Sequence, residues 1–406
     1  MNLLKKCNVL WCRAFQIVMK AGNYFVGYRM PEYIEGPGKT AQLGSFLKEK
    51  GINDVLVVTG TGMVRRGQVQ PMLDGFQENG IRFCLQTYST TDPTSEDVEA
   101  GYEAYRKNRC KAIVALGGGS RIDCAKAIAA RLVRPKKSVA QLQGLLRVRG
   151  RIPPFIAIPT TAGAGSETTV AAVITDSATH RKASINDPVL IPKYAVLDPA
   201  LTVDLPPHTT AITGMDALAH AVEAYTNHTY NTKLENRLAK ESVRLIYHNI
   251  LTAFADGSNL EARQNMQRAA FYAGRAFTRG CVGYVHAIGH TLGSLYGVPH
   301  GLAMAVLLPR VMKQYGPAAH KRLAELADVC GISGSNQAEK ANGFLRWIED
   351  TNAAMGLPNQ LNVIRDEDVN QMIAWAKKEA NPLYPVPVIW ADEDFRRLIE
   401  SVGFSE

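Results

Sequence analysis

Short β-branched runs alternate with helical stretches from Tyr33 to about Val203, and after Asp204-Leu205-Pro206-Pro207 the strand signal all but disappears while helical periodicity continues towards the C-terminus. That switch admits few architectures. Strands separated by helices pair in parallel through right-handed crossovers, with helices covering both faces of the sheet. The first half is therefore predicted as an α/β domain with a parallel sheet and the second as an all-helical domain. Strands are predicted at Val55 to Val58, Phe83 to Leu85, Ala112 to Leu116, Phe155 to Ile158, Val170 to Ile174 and Ala195 to Leu197, and helices at Thr40 to Lys50, Ser95 to Lys107 and Ser120 to Leu132. With 406 residues, 46% of them apolar and 20% charged, the chain is long enough for two cores. Three segments follow: an extension over 1–30, the α/β domain over 31–205 and the helical domain over 206–406, with helix breaks near Asp256-Gly257-Ser258 and Gly356-Leu357-Pro358. Within the extension, Leu10 to Tyr28 reads as an amphipathic helix, too polar to span a bilayer and expected to pack on the rest of the chain or on a partner subunit.

Two glycine-rich turns stand at predicted strand ends. The run Ala112 to Leu116 leads into Gly117-Gly118-Gly119-Ser120-Arg-Ile-Asp123 and then a helix, with Ser120 placed to cap that helix and Asp123 three residues on. Glycines let backbone N–H groups approach a pyrophosphate, and a helix N-terminus favours its charge. A turn that needs glycine only for its conformation accounts for the same triplet. Pro159-Thr160-Thr161-Ala162-Gly163-Ala164-Gly165-Ser166-Glu167 follows the next strand and either lines a nucleotide cleft or forms a polar loop.

In the second half, Met215, Leu218, Val222 and Tyr225 recur at helical intervals, which puts Asp216, His220 and Glu223 together on the opposite face. His286 and His290 fall one turn apart on another predicted helix, beside Gly289 and Gly293, which permit close packing. His300 follows Val298-Pro299, where the proline breaks the chain before it turns helical again. Single histidines on helices are commonly surface or hydrogen-bonded core residues; their clustering with an aspartate is what points to a metal. Imidazoles with a carboxylate suit iron(II) or zinc better than magnesium or calcium, which prefer all-oxygen shells. The joint expectation is a nucleotide cofactor and a metal meeting in an interdomain cleft.

The net charge of +9 is scattered, with Arg65-Arg66, Lys136-Lys137 and Arg147 to Arg151 as short clusters that no aromatic residues interleave. Nucleic acid is not an expected partner. Seven cysteines, an odd number without a Cys-x-x-Cys pair, point to a reducing, cytoplasmic compartment.

Taken together, these motifs resemble the iron-containing (group III) alcohol dehydrogenases, over about Pro31 to Val402. The resemblance rests on Gly117 to Ser120 with Asp123, on Pro159 to Glu167, on Gly214 to His220, and on the spacing of His286, His290 and His300. It implies a dehydroquinate synthase-like architecture and a metal-dependent NAD(P)-linked enzyme that interconverts short or medium aliphatic alcohols and aldehydes. Asp216, His220, His286 and His300 would then bind Fe2+ or Zn2+, with His290 near the reacting carbon but not a ligand. Gly117, Gly118, Gly119, Ser120 and Asp123 would contact the dinucleotide, with Thr160, Thr161 and Ser166 lining the same cleft. Ala164 departs from the usual threonine of that loop, and Gly60 stands where many relatives carry an aspartate that accepts the ribose hydroxyls and repels a 2′-phosphate. NADP is therefore favoured over NAD, with Arg65 or Arg66 placed to pair with its phosphate and a solvated helix start as the alternative for both. Ala171, Phe277 and Tyr284 fall near the substrate pocket, although helix packing accounts equally for the two aromatic residues. The resemblance also implies a homo-oligomer. A cyclase similar to dehydroquinate synthase and a metal hydrolase are the alternatives: the first calls for other ligand spacing and basic contacts to a substrate phosphate, and the second leaves both glycine-rich turns without a role.

Overall fold

The β-branched runs become strands wherever helices cover both faces. The structure, a computed structural model, describes residues 3–90, 92–177 and 182–404. Its strands are β1 (Glu32–Glu35), β2 (Asp54–Gly60), β3 (Arg82–Tyr88), β4 (Ala112–Gly117), β5 (Gly144–Leu145), β6 (Phe155–Pro159), β7 (Ala171–Thr175), β8 (Lys182–Asn186) and β9 (Tyr194–Leu197). Six of them form one sheet in the order β1-β9-β6-β4-β2-β3, parallel at each recorded pairing. Alternate residues serve opposite faces. Leu56, Val58, Ile113 and Ala115 join a core with Val98, Ile122 and Ile128 of the helices Ser95–Lys107 and Gly119–Val133. Val55, Val57, Val114 and Leu116 join another with Leu43, Leu47, Met72 and Phe76 of Leu43–Glu49 and Gln70–Glu78. Burial on both faces explains why these strands read as continuous apolar runs.

The predicted strand at Val170 to Ile174 does not enter that sheet. It forms β7, which pairs antiparallel with β8 in a separate three-stranded sheet ordered β5-β8-β7. The chain returns directly from β7 to β8, without the long crossover that a parallel neighbour requires. The short β1 carried no apolar alternation to announce it. Its residues Glu32, Tyr33, Ile34 and Glu35 are ordered by pairing with β9.

By contact density the chain divides into an α/β unit, Gly27–Asp204 with Ser258–Gln267, and a helical unit, Met1–Val26, Leu205–Gly257 and Arg268–Glu406. A single cut at 205 therefore misses an excursion. Gln267 Nε2 donates to the carbonyls of Pro159 and Asp198, both at 3.2 Å, and ties that segment to the sheet.

The N-terminal helix spans Leu3–Tyr24 and inverts the expected amphipathic packing. Gln16, buried, donates to the carbonyls of Pro382 (3.1 Å) and Tyr384 (3.0 Å), and Arg13 donates to that of Pro387 (2.9 Å). Leu10, Trp11, Ile17 and Val18 are exposed instead. Among the described residues, no helix is long and apolar enough to cross a membrane.

Candidate metal centre and dinucleotide turns

In the α/β unit the chain passes from β2 to β3 on one side and then from β4 to β6 and β9 on the other, so the strand order reverses between β2 and β4. Ligands of open α/β sheets bind at the carboxyl ends of the strands beside such a reversal. Thr59 is in register with Leu116, so β2 and β4 end side by side in Gly60 and Gly117. Gly117 has φ +153°, a conformation that disfavours side chains, and a Cβ there would fall 2.4 Å from Arg121 Cγ. A Cβ on Gly119 would fall 3.0 Å from that of Ala164, so the second loop lies directly against the first. Thr160 N–H donates to the Gly117 carbonyl at 3.1 Å, and the Thr161 side chain lies 3.7 Å from where a Gly118 Cβ would stand. The helix Gly119–Val133 has Gly118 at its N-cap, with no side-chain cap. Ser120 is therefore inside the first turn rather than capping it, and its carbonyl accepts from Tyr88 O–H at 2.8 Å.

Asp123 and Ser166 are engaged with protein rather than turned outward. Ser166 Oγ–H donates to Asp123 Oδ1 at 2.5 Å, and Val173 N–H donates to Asp123 Oδ2 at 2.9 Å. Beneath them lies Lys126, fully buried, which donates to Ser166 Oγ (3.2 Å), Thr169 Oγ1 (2.8 Å) and the Ala171 carbonyl (2.8 Å). Burial lowers the Lys126 ammonium to about 8 against the opposing pull of Asp123 and Glu167. It likewise pushes the Asp123 carboxyl up, against Lys126 and Ser166. Ala171 thus belongs to this polar cluster in the α/β unit. Arg65 and Arg66 are exposed, and Arg66 Nε donates to Gln68 at 3.1 Å.

The helical unit brings the Asp/His cluster together. Asp216 and His220 lie on the helix Pro207–Asn227, His286 on Tyr284–Tyr296, and His300 opens His300–Tyr315 after Pro299. Gly301 lets the last of these approach the first, since a Cβ there would stand 2.1 Å from the Ile212 carbonyl oxygen. Gly289 is met by Met304, whose Cε would lie 2.1 Å from an added Cβ. One potential ligand atom from each of Asp216, His220, His286 and His300 lies within 4.8 Å of the others. From Asp216 Oδ1 the distances are 3.3 Å to His300 Nε2, 3.7 Å to His220 Nδ1 and 3.8 Å to His286 Nε2. Asp216 Oδ1, His220 Nδ1 and His286 Nε2 are buried and find no hydrogen-bond partner among the described residues. Converging buried acceptors without donors are costly, and a cation satisfies all of them at once. Burial opposes ionisation of Asp216, but His220, His300 and His286 outweigh it and hold the carboxyl well below its usual range. Burial also lowers His220 to about 3, against the pull of Asp216, so its imidazole is neutral and able to ligate.

Supporting groups surround the cluster. Glu223 Oε2 meets His286 Nδ1 at 2.5 Å, while Glu223 Oε1 accepts from Val285 N–H at 2.7 Å. His290 is half-exposed, bonds through Nδ1 to Glu379 Oε1 at 2.8 Å and stacks on His300 with ring centroids 5.3 Å apart. Burial alone would lower its pKa, but the Glu379 carboxylate outweighs this and raises it. Phe277 stacks on His220 at 4.1 Å and forms an apolar wall of the cluster. Tyr284 packs in an aromatic core. It is wholly buried among Tyr315, Trp390 and Phe395, with its hydroxyl bonded to Asn381 Oδ1 at 3.1 Å, because its ring fills the core beneath the helix start. Lys126, Glu379 and Arg121 had no assigned role on sequence grounds, and Glu223 was placed only on the right helix face. Its spacing three residues after His220 was the available signal for that residue; Glu379, 89 residues beyond His290, had none.

Residues 31–199 match the family model described as iron-containing alcohol dehydrogenase, and residues 210–402 match that of the Fe-containing alcohol dehydrogenase family, C-terminal. The 1,3-propanediol dehydrogenase of Klebsiella pneumoniae is 34% identical over 368 residues, covering 88% of this chain and 95% of that protein. The NAD-dependent methanol dehydrogenase of Bacillus methanolicus is 34% identical over 351 residues, 86% of this chain and 91% of that one. Among solved structures, a 1,3-propanediol oxidoreductase superposes with a TM-score of 0.87 at 32% identity, covering 93% of this chain and 99% of the other. Matches across both halves of the chain, on a fold that clusters an aspartate with three histidines, make it a metal-dependent alcohol dehydrogenase that belongs to the iron-containing alcohol dehydrogenase family.

Proposed function

We propose that Asp216, His220, His286 and His300 hold iron(II) or zinc, and that the enzyme transfers a hydride between NADP(H) and a short or medium aliphatic alcohol or aldehyde. The observation that carries this reading is the convergence of Asp216 Oδ1, His220 Nδ1 and His286 Nε2, buried and without a hydrogen-bond partner among the described residues, with a ligand atom of His300, all within 4.8 Å of one another. When bound, the metal supplies Lewis acidity at the substrate oxygen and the dinucleotide supplies the hydride. The protein's own groups do the rest. Glu223 fixes the His286 ring so that Nε2 faces Asp216. Phe277 keeps water from one side of His220 and offers an aliphatic chain an apolar wall. His290, with Nδ1 held by Glu379, has Nε2 available to exchange a proton with solvent.

The glycine turns at the ends of β2 and β4 are read as the dinucleotide site, with Thr160, Thr161 and the backbone of Gly117 to Ser120 at the phosphates. Asp123 and Ser166 hold the two loops together there. NADP is favoured because Gly60 offers no carboxylate to the ribose hydroxyls. A homo-oligomer in a reducing, cytoplasmic compartment completes the reading, supported by the exposed Leu10, Trp11, Ile17 and Val18 and by free thiols at Cys12, Cys84, Cys110, Cys124, Cys281 and Cys330.

The test is oxidation of NADPH and NADH by protein purified without oxygen, loaded with iron(II) or zinc, and offered a panel of aliphatic aldehydes. Metal-dependent oxidation with NADPH ahead of NADH is the expected result. A strong NADH preference removes the cofactor assignment, and inactivity with both dinucleotides despite bound metal removes the hydride reading and returns the cyclase and hydrolase alternatives.

A further inference from the structure

Arg121 occupies the space above Gly60. A Cβ built on Gly60 would lie 2.9 Å from Arg121 Nε and 3.1 Å from Nη2, so the guanidinium stands where a side chain at the end of β2 would begin. Its position is fixed from two sides. Nη1 donates to the Thr90 carbonyl at 2.8 Å, and the guanidinium carbon lies 4.3 Å from the Tyr88 ring centroid. A cation in the first turn of a helix works against the helix dipole, and this helix carries its favourable charge, Arg131, in the last turn. Arg121 is therefore poorly explained as a helix-stabilising residue. It is well explained as an anion receptor, because a guanidinium already held in place meets a phosphate with little ordering left to do.

We propose that Arg121 is the residue that recognises the 2′-phosphate of the dinucleotide, with Gly60 left bare to admit it. This rests on the dinucleotide reading above and replaces Arg65 and Arg66 in the role that the sequence offered them. Arg121 springs from the glycine turn itself, two residues after Gly119, and its Nε and Nη2 lie at the ends of the two strands where the strand order reverses. Arg65 and Arg66 are exposed, and among the described residues neither lies over an aromatic ring.

The experiment is calorimetric titration of the intact, metal-loaded enzyme with 2′,5′-ADP and with 5′-AMP, which share the adenosine and differ in the 2′-phosphate. Wild type, Arg121→Gln, Arg121→Lys and the double variant Arg65→Gln/Arg66→Gln are compared, with circular dichroism melts to verify folding. Wild type is expected to bind 2′,5′-ADP more tightly than 5′-AMP. Arg121→Gln should weaken 2′,5′-ADP about 10- to 100-fold and leave 5′-AMP within about twofold, the loss expected for a charge-assisted pair. Arg121→Lys keeps the charge without the fork and should fall between; it decides the matter alone if the glutamine variant does not fold. Equal weakening of both nucleotides would make Arg121 a structural part of the turn and overturn the proposal. So would a preference that survives in Arg121→Gln and vanishes in the double variant. A wild type that binds 5′-AMP at least as well as 2′,5′-ADP overturns it while the dinucleotide site stands, whereas binding of neither removes that site as well.

Discussion

Glu223 Oε2 stands 2.5 Å from His286 Nδ1, so the imidazole that turns Nε2 towards Asp216 is gripped on its far side by a buried carboxylate. Such a partner fixes ring orientation and raises ligand basicity. Glu223→Gln retains the shape and loses the charge, and is expected to weaken metal affinity by about 10- to 100-fold. Competition with a chromophoric chelator measures it; unchanged affinity would reduce Glu223 to a packing residue.

Gly301 has no room for a methyl group. A Cβ would stand 2.1 Å from the Ile212 carbonyl oxygen, a backbone atom that cannot rotate away. Gly301→Ala should force the helix bearing His300 off the helix bearing Asp216, at a cost of about 1–3 kcal/mol. Calorimetry should show a lower melting temperature, and metal titration a weaker site, since His300 is the adjacent residue.

The His290–Glu379 pair predicts a pH signature. His290 is raised above its ordinary 6.5, so its contribution is fully present below that value and is lost as pH climbs through the raised pKa. Burial opposes the Glu379 carboxylate but His290 outweighs it, so Glu379 lies below its ordinary 4.5; its contribution is present above that value and lost as pH falls through the depressed pKa. Both are complete between 4.5 and 6.5. Melts of chelator-treated wild type and Glu379→Gln should differ most in that interval and converge at alkaline pH. A constant difference across the range would assign the loss to packing.

Lys126 is completely enclosed and supports Ser166, Thr169 and Ala171, with Asp123 Oδ1 4.0 Å away. Lys126→Met removes the cation and leaves polar groups with lost donors. Breaking a buried charge cluster in this way costs about 3–5 kcal/mol. Urea unfolding should register that loss, together with weaker 5′-AMP binding as the loop from Pro159 to Glu167 loosens from the turn at Gly117.

His290→Ala separates a proton-transfer role from ligation. Turnover should fall by about a hundredfold or more while metal content is retained. Loss of metal would make His290 a ligand.

The buried parallel strands and the Asp/His cluster were legible because each imposes a periodicity: two-sided burial makes strands such as Val55 to Val58 uniformly apolar, and one helical turn sets Asp216 from His220. Arrangements that depend on tertiary contact were not. β7 looked like its parallel neighbours, and only its return to β8 distinguishes it. Tyr284, placed beside substrate from the sequence, belongs to an aromatic core built from residues near 315, 390 and 395. Arg121 lies within the glycine-turn motif, but its contact with the end of β2 is tertiary and could not be read from the sequence.

All four candidate metal ligands belong to the helical unit, and each glycine turn, with Arg121, to the α/β unit. Substitutions in the glycine turns are therefore expected to leave every candidate ligand atom in place, and substitutions among the candidate ligands to leave the turns in place. A sequence built on this plan can vary its proposed nucleotide turns and its candidate metal cluster through separate sets of residues.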